Sequence, residues 1–263
     1  MNLDIKDRVA LIGGGSKGLG KACAMRLAAE GARVVMCARG EAALQNTAEE
    51  IRQLHGGEPL ALVSDWSRQE DIHQAVEKTV SVFGGVDILV HNTGGPPAGG
   101  FFDQTEASWQ QGFELTLMSA VRTYREVIPL MRKKRWGRIV NIESTTVKEP
   151  WDTIILSSVM RAGVASLAKT LSRSLAGDNI LINTVCPGPF RTDRFETLIH
   201  QQAERSGTPI DDVVKLWLDD IPTARLGEPE EMGNLVALLA SGINRHVTGT
   251  VIQIDGGAVR GML

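Results

Sequence analysis

Val9-Ala10-Leu11-Ile12, running into Gly13-Gly14-Gly15-Ser16-Lys17-Gly18-Leu19-Gly20 and then Lys21 to Glu30, is the stretch that decides the fold. The first four residues are apolar throughout, as a strand buried on both faces requires. The glycines allow a sharp turn and a close approach to a ligand. Residues 18 to 30 have helical spacing. Strand, glycine turn and helix in that order form the cradle in which a helix N-terminus stabilises a pyrophosphate. Gly14, Ser16, Lys17, Gly18, Leu19 and Gly20 are therefore expected to hold a dinucleotide. The alternative is a tight turn without a ligand.

Outward from this turn the alternation repeats. Short Val- and Ile-rich runs at Arg33 to Ala38, Pro59 to Val63, Asp87 to Val90, Arg138 to Ile142, Ile180 to Val185 and Thr250 to Ile254 read as strands. Stretches 41 to 54, 68 to 83, 106 to 134, 157 to 176 and 229 to 240 read as helices between them. Apolar strands separated by helices predict an α/β fold, a Rossmann-like doubly wound parallel sheet of seven strands with helices on both faces. Ligands are then expected at the carboxyl ends of the strands.

No linker or repeat divides the chain, so one domain over residues 1 to 263 is expected. The exception to the alternation is 194 to 225, polar and punctuated by Gly207, Pro209 and Pro222. Its place after the sixth strand makes it a candidate substrate lid, against the alternative of an ordinary surface excursion. The basic run Arg132-Lys133-Lys134-Arg135 suits the negative end of the preceding helix dipole and receives no function.

Composition narrows the classes. The 28 Lys and Arg against 31 Asp and Glu leave a net charge of −3, with no cationic excess for a run of phosphates. Nucleic acid and an anionic membrane surface are not expected partners. Cys23, Cys37 and Cys186 are odd in number and widely spaced, and read as thiols of a reducing compartment. The opening Met-Asn-Leu-Asp-Ile-Lys-Asp lacks a signal-peptide apolar run, and no stretch approaches the ~20 apolar residues of a membrane span. A cytoplasmic location is expected. His55, His73, His91, His200 and His246 are scattered, so no metal site is expected, and there is no Gly-x-Ser-x-Gly elbow.

The second strand ends in Cys37-Ala38-Arg39, where an NAD-selective site would carry a carboxylate. Arg39, assisted by Lys17, suits a 2′-phosphate instead, which favours NADP over NAD. The alternative is a solvated charge at a strand end.

With these residues in place the chain resembles the short-chain dehydrogenase/reductase family over nearly its whole length. The glycine turn is similar to the family's Thr-Gly-x-x-x-Gly-x-Gly, with Gly13 where threonine is usual. Asp65 matches the acid at the adenine ring, and His91-Asn92-Thr93-Gly94 stands in place of Asn-Asn-Ala-Gly. Arg138 to Ser144 resembles the strand carrying the catalytic serine, and Pro187-Gly188-Pro189-Phe190-Arg191-Thr192 the nicotinamide loop. Arg225 to Glu231, and Val247 to Gly257, complete the pattern. The resemblance implies cofactor contacts from Asp65, Asn92, Gly94, Pro187, Gly188 and Thr192, and a homotetramer assembled through the 106 to 134 and 157 to 176 helices.

The family's chemistry uses Asn, Ser, Tyr and Lys. Here Ser144 is present, while the Tyr-x-x-x-Lys position, thirteen residues on, reads Ser157-Ser158-Val159-Met160-Arg161. The asparagine position falls at Thr116. An aliphatic hydroxyl is far less acidic than a phenol near pKa 10, and Ser157 stops roughly 4 Å short of a tyrosine oxygen. A bridging water can span that gap. Arg161 keeps the charge and can bind ribose, but does not release a proton at ordinary pH. The single tyrosine, Tyr124, lies mid-helix and reads as a core or interface residue.

Glu143, beside Ser144, is a candidate general acid if burial raises its pKa, or else a solvated or paired carboxylate. Lys148 and His91 are weaker candidates. Three functions remain open. The first is an NADP(H)-dependent oxidoreductase interconverting a carbonyl and an alcohol with a reorganised proton relay. The second is a catalytically impaired cofactor-binding protein, a sensor or partner subunit. The third is a non-redox proton shift using Glu143. The substrate is not legible, since fold alone does not fix activity.

Overall fold

Each apolar run forms a strand: β1 (Val9–Gly13), β2 (Arg33–Ala38), β3 (Leu60–Val63), β4 (Ile88–His91), β5 (Gly137–Ile142), β6 (Ile180–Pro187) and β7 (Val251–Ile254). In the computed structural model, which describes residues 2–261, these strands make one seven-stranded sheet in the order β3-β2-β1-β4-β5-β6-β7. Every pairing is parallel. Parallel neighbours need crossovers, and the helices supply them. These are α1 (Gly18–Ala29), α2 (Glu41–His55), α3 (Gln69–Phe83), α4 (Glu106–Gly112), α5 (Ser119–Lys134), α6 (Ile155–Leu175), α7 (Asp193–Ser206), α8 (Ile210–Asp219) and α9 (Pro229–Leu239).

The two faces divide by the period-two rule of a strand. On β1, Ala10 and Ile12 point into a core shared with Leu27 of α1, Ile51 of α2 and Val236 of α9. Val9 and Leu11 point the other way, toward Val76 of α3, Val127 of α5 and Val164 of α6. The chain starts in the middle of the sheet, winds out to β3, then returns to the other side of β1 as β4. That reversal opens a crevice beyond the carboxyl ends of β1 and β4.

Two segments differ from the sequence expectation. The stretch 106 to 134 is not one uniform helix: Phe113–Met118 widens into a π turn between α4 and α5. Within it the Ser119 hydroxyl donates to the carbonyls of Leu115 (2.7 Å) and Thr116 (2.9 Å), competing with main-chain partners. The polar stretch 194 to 225 contains α7 and α8. Thr192 caps α7 by accepting from the Phe195 amide at 3.3 Å, and Gly207 ends it at φ +66°. Phe195, Ile199 and Ala203 recur every four residues and, with Val213, Ile221 and Leu226, form a third apolar cluster. Among the described residues no helix is long and apolar enough to cross a membrane.

Gly13 shows how tightly the crevice floor is packed. A Cβ there would lie 2.5 Å from the Asn92 carbonyl oxygen and closer still to the Trp66 ring. Gly13→Thr, which restores the residue usual in the family, is therefore expected to destabilise this chain by at least ~1–3 kcal/mol in chemical denaturation. Adding Trp66→Val should recover part of the loss. A neutral or stabilising Gly13→Thr contradicts this packing.

Candidate active site

A cleft of about 560 Å³ occupies the crevice. Its cofactor half is built from the glycine turn. Gly14 and Gly18 have φ of +61° and +55°, and a Cβ on Gly20 would strike the Gly14 carbonyl. The turn thus brings bare backbone to the cleft at the start of α1, which fits a pyrophosphate. Asn92 Nδ2 donates to the Gly13 carbonyl at 3.0 Å and ties the end of β4 to the turn. Ser16, Leu19, Gly94, Pro187 and Thr192 line the same cleft. Gly188 does too, held so close to Asp255 that a Cβ would lie 2.8 Å from the Asp255 Cβ.

At the far end Arg39 and Lys17 are exposed on the cleft rim, where a phosphate can reach them. Lys17 Nζ lies 3.1 Å from Asp193 Oδ2, a surface contact that an incoming phosphate can displace. Asp65 Oδ1 accepts from the Ser67 amide (3.0 Å) and hydroxyl (2.8 Å), which fixes the carboxylate on the cleft wall.

The other half of the cleft carries the altered tetrad positions. Ser157 and Arg161 stand one turn apart on α6, so both face the same way. Arg161 Nε donates to Ser157 Oγ at 3.1 Å. Its Nη1 donates to the Ile142 carbonyl (3.2 Å) and to Glu143 Oε2 (3.1 Å). Among the described residues Nη2 has no hydrogen-bond partner. Ser144 Oγ accepts from the Thr146 amide at 3.2 Å, which leaves its hydroxyl proton free for the cleft.

Glu143 lines the cleft, but its side chain is almost wholly buried and paired with Arg161. One oxygen meets Arg161. The other lies 3.7 Å from His91 Nδ1, beyond hydrogen-bonding length, and among the described residues neither atom has another partner. The Ser119 hydroxyl proton is used on backbone carbonyls, so His91 Nε2 at 3.0 Å carries the hydrogen of that contact. Thr116 is fully buried, and its hydroxyl has no hydrogen-bond partner among the described residues. Neither His91, Thr116 nor Lys148 lines the cleft. Tyr124 also lies away from it, donating to Asn141 Oδ1 at 2.6 Å, with its pKa raised by burial and by the Glu143 charge.

Sequence reading missed five of the groups that line the cleft with Ser157. Trp151, Ile154, Leu198 and Trp217 form an apolar wall, and Arg194 reaches in from α7. The apolar stripe of α7 was the available signal for the helix that carries Leu198, and no such signal marks the others. Among the described residues no group of three or more His, Cys, Asp or Glu is placed to hold a metal.

The chain matches known proteins over nearly its whole length. A family model described as enoyl-(acyl carrier protein) reductase matches residues 14–259. The chain belongs to that family, within the short-chain dehydrogenases/reductases. It is 33% identical to an uncharacterised oxidoreductase, YvrD, of Bacillus subtilis (strain 168), covering 100% of both chains. It is 32% identical to the 3-oxoacyl-[acyl-carrier-protein] reductase FabG of Thermotoga maritima, over 97% of this chain and 99% of the relative. Among solved structures, L-sorbose reductase from Gluconobacter frateurii, complexed with NADPH and L-sorbose, superposes with a TM-score of 0.94 at 30% identity, covering 100% of each chain.

The thiols give a direct check on the packing around the site. Burial pushes Cys37 and Cys186 up to about 12 and Cys23 higher still. At pH 8 the folded protein is expected to leave all three unlabelled by a disulfide reagent over minutes, and to label fully once unfolded. Only the unfolded chain releases these protons, so stability holds below the ordinary thiol pKa near 8.5 and falls as pH rises through it. Rapid labelling of the native protein at pH 8 contradicts the buried placement.

Proposed function

We propose that the protein is an NADPH-dependent reductase that interconverts a carbonyl and an alcohol without a tyrosine acid. The observation that carries this reading is convergence: Ser144, Ser157 and Arg161 share one cleft with the glycine turn and Arg39. The cofactor use of the related L-sorbose reductase supports it.

The glycine turn and the start of α1 would hold the pyrophosphate, Arg39 with Lys17 the 2′-phosphate, and Asp65 the adenine. Asn92, Gly94 and Arg161 would hold the nicotinamide ribose, and Pro187, Gly188 and Thr192 the carboxamide. NADPH supplies the hydride when bound. Ser144 then donates a hydrogen bond to the substrate oxygen as negative charge grows there. Ser157, its oxygen engaged by Arg161 Nε–H, orients a water that delivers the proton and regains one from bulk solvent at the cleft mouth. Arg161 stabilises charge but moves no proton. Glu143 holds Arg161 in this orientation, which fits a paired carboxylate better than the general acid.

The helical pair α7 and α8 serves as the substrate lid of a single catalytic domain. A homotetramer built on α5 and α6 is consistent with Val159, half-exposed on the outer side of α6.

Two measurements test this reading. Arg39→Ala should weaken NADPH binding about tenfold or more while leaving NADH binding nearly unchanged. In NADPH oxidation with a carbonyl panel, Ser144→Ala should reduce kcat more than Ser157→Ala; the reverse order assigns the proton work to Ser157. Tight NADPH binding with no hydride transfer to any carbonyl supports the cofactor-binding, catalytically impaired reading instead.

A further inference from the structure

Among the described residues Arg194 is a cation in the cleft without a carboxylate. Its guanidinium lies over Gly95, where a Cβ would sit 3.0 Å from Nη2, and its one polar contact among those residues is the Pro96 carbonyl at 3.4 Å. The acids of the same cleft are engaged elsewhere. Asp193 meets Lys17, Glu143 meets Arg161, and Asp65 lies against Ser67. Burial, and then the charge of Arg161, lower the Arg194 pKa below the usual arginine range.

Beside this cation stands an aromatic wall. Phe195, next in sequence, packs edge-on against Trp217 at 5.5 Å, and Trp217 packs against Trp151 at 5.5 Å. Trp151 and Trp217 also line an adjoining cavity of about 710 Å³, so the wall continues away from the catalytic serines. A guanidinium with free N–H donors pairs best with a planar anion, and an indole surface with an apolar body.

From this juxtaposition we propose that the substrate is an oxo acid, its carboxylate on Arg194 and an apolar, preferably aromatic, body against Trp151 and Trp217. The inference rests on the carbonyl-reductase reading for the reaction, but not for the binding. The cofactor's pyrophosphate is the other anion that could reach Arg194, and the test separates the two.

Calorimetric titrations need no turnover. Phenylpyruvate and its neutral methyl ester are titrated into the protein saturated with NADP⁺, and NADPH into the protein alone, for the wild type, Arg194→Met and Arg194→Lys. Arg194→Met is expected to weaken phenylpyruvate about tenfold or more, with less than about threefold change for the ester and for NADPH. Arg194→Lys should retain part of the affinity for the acid. Three results overturn the proposal: equal losses for acid and ester, a larger loss for NADPH than for phenylpyruvate, or no binding of phenylpyruvate to the wild type at millimolar concentration. Normal phenylpyruvate binding without reduction would count against the reductase reading while leaving the anion site in place.

Discussion

The site is organised by one buried ion pair, Glu143 with Arg161 at 3.1 Å. Both side chains are almost wholly removed from water, and a charge in that position is tolerated only when it is paired. The pair fixes the guanidinium so that Nε faces Ser157 and Nη1 reaches the end of β5. A lysine at the same position would present a single rotatable ammonium. The arginine instead makes a planar frame between α6 and the sheet, and the cleft wall is built on it.

The departures from the family pattern are physically contiguous. Gly13 makes room for Trp66. Trp66 stacks on His91 with centroids 5.8 Å apart and 25° between planes. His91 faces Glu143, Glu143 holds Arg161, and Arg161 holds Ser157. Substitutions that pack on one another in this way are mutually supported, and reverting any one alone meets a neighbour shaped for its replacement. The same continuity explains why Tyr124 cannot replace the missing phenol. It belongs to the sheet side of the network, bonded to Asn141 and away from the cleft.

The parallel sheet and the glycine turn were readable because strands buried on both faces and a pyrophosphate turn leave strong local patterns in Val9 to Gly20 and in the later Val- and Ile-rich runs. That Ser144, Ser157 and Arg161 share one cleft was readable from the resemblance and its spacing. The partnership of Glu143 was not, because a carboxylate beside a catalytic serine looks the same in sequence whether it faces substrate or an arginine eighteen residues on. Helices α7 and α8 were hidden by polar outer faces that masked a narrow apolar stripe. Arg194 and Trp217 reach the site only through the fold of that pair, so no local spacing marks them.

A double-mutant cycle on Glu143→Gln and Arg161→Met, read as unfolding free energy in denaturant, tests the central pair most directly. Each single change leaves a buried charge without its counter-charge and is expected to cost about 3–5 kcal/mol. The double change should cost clearly less than the two together, a coupling of about 2 kcal/mol or more. Additive single effects would contradict the pair as the frame of the site.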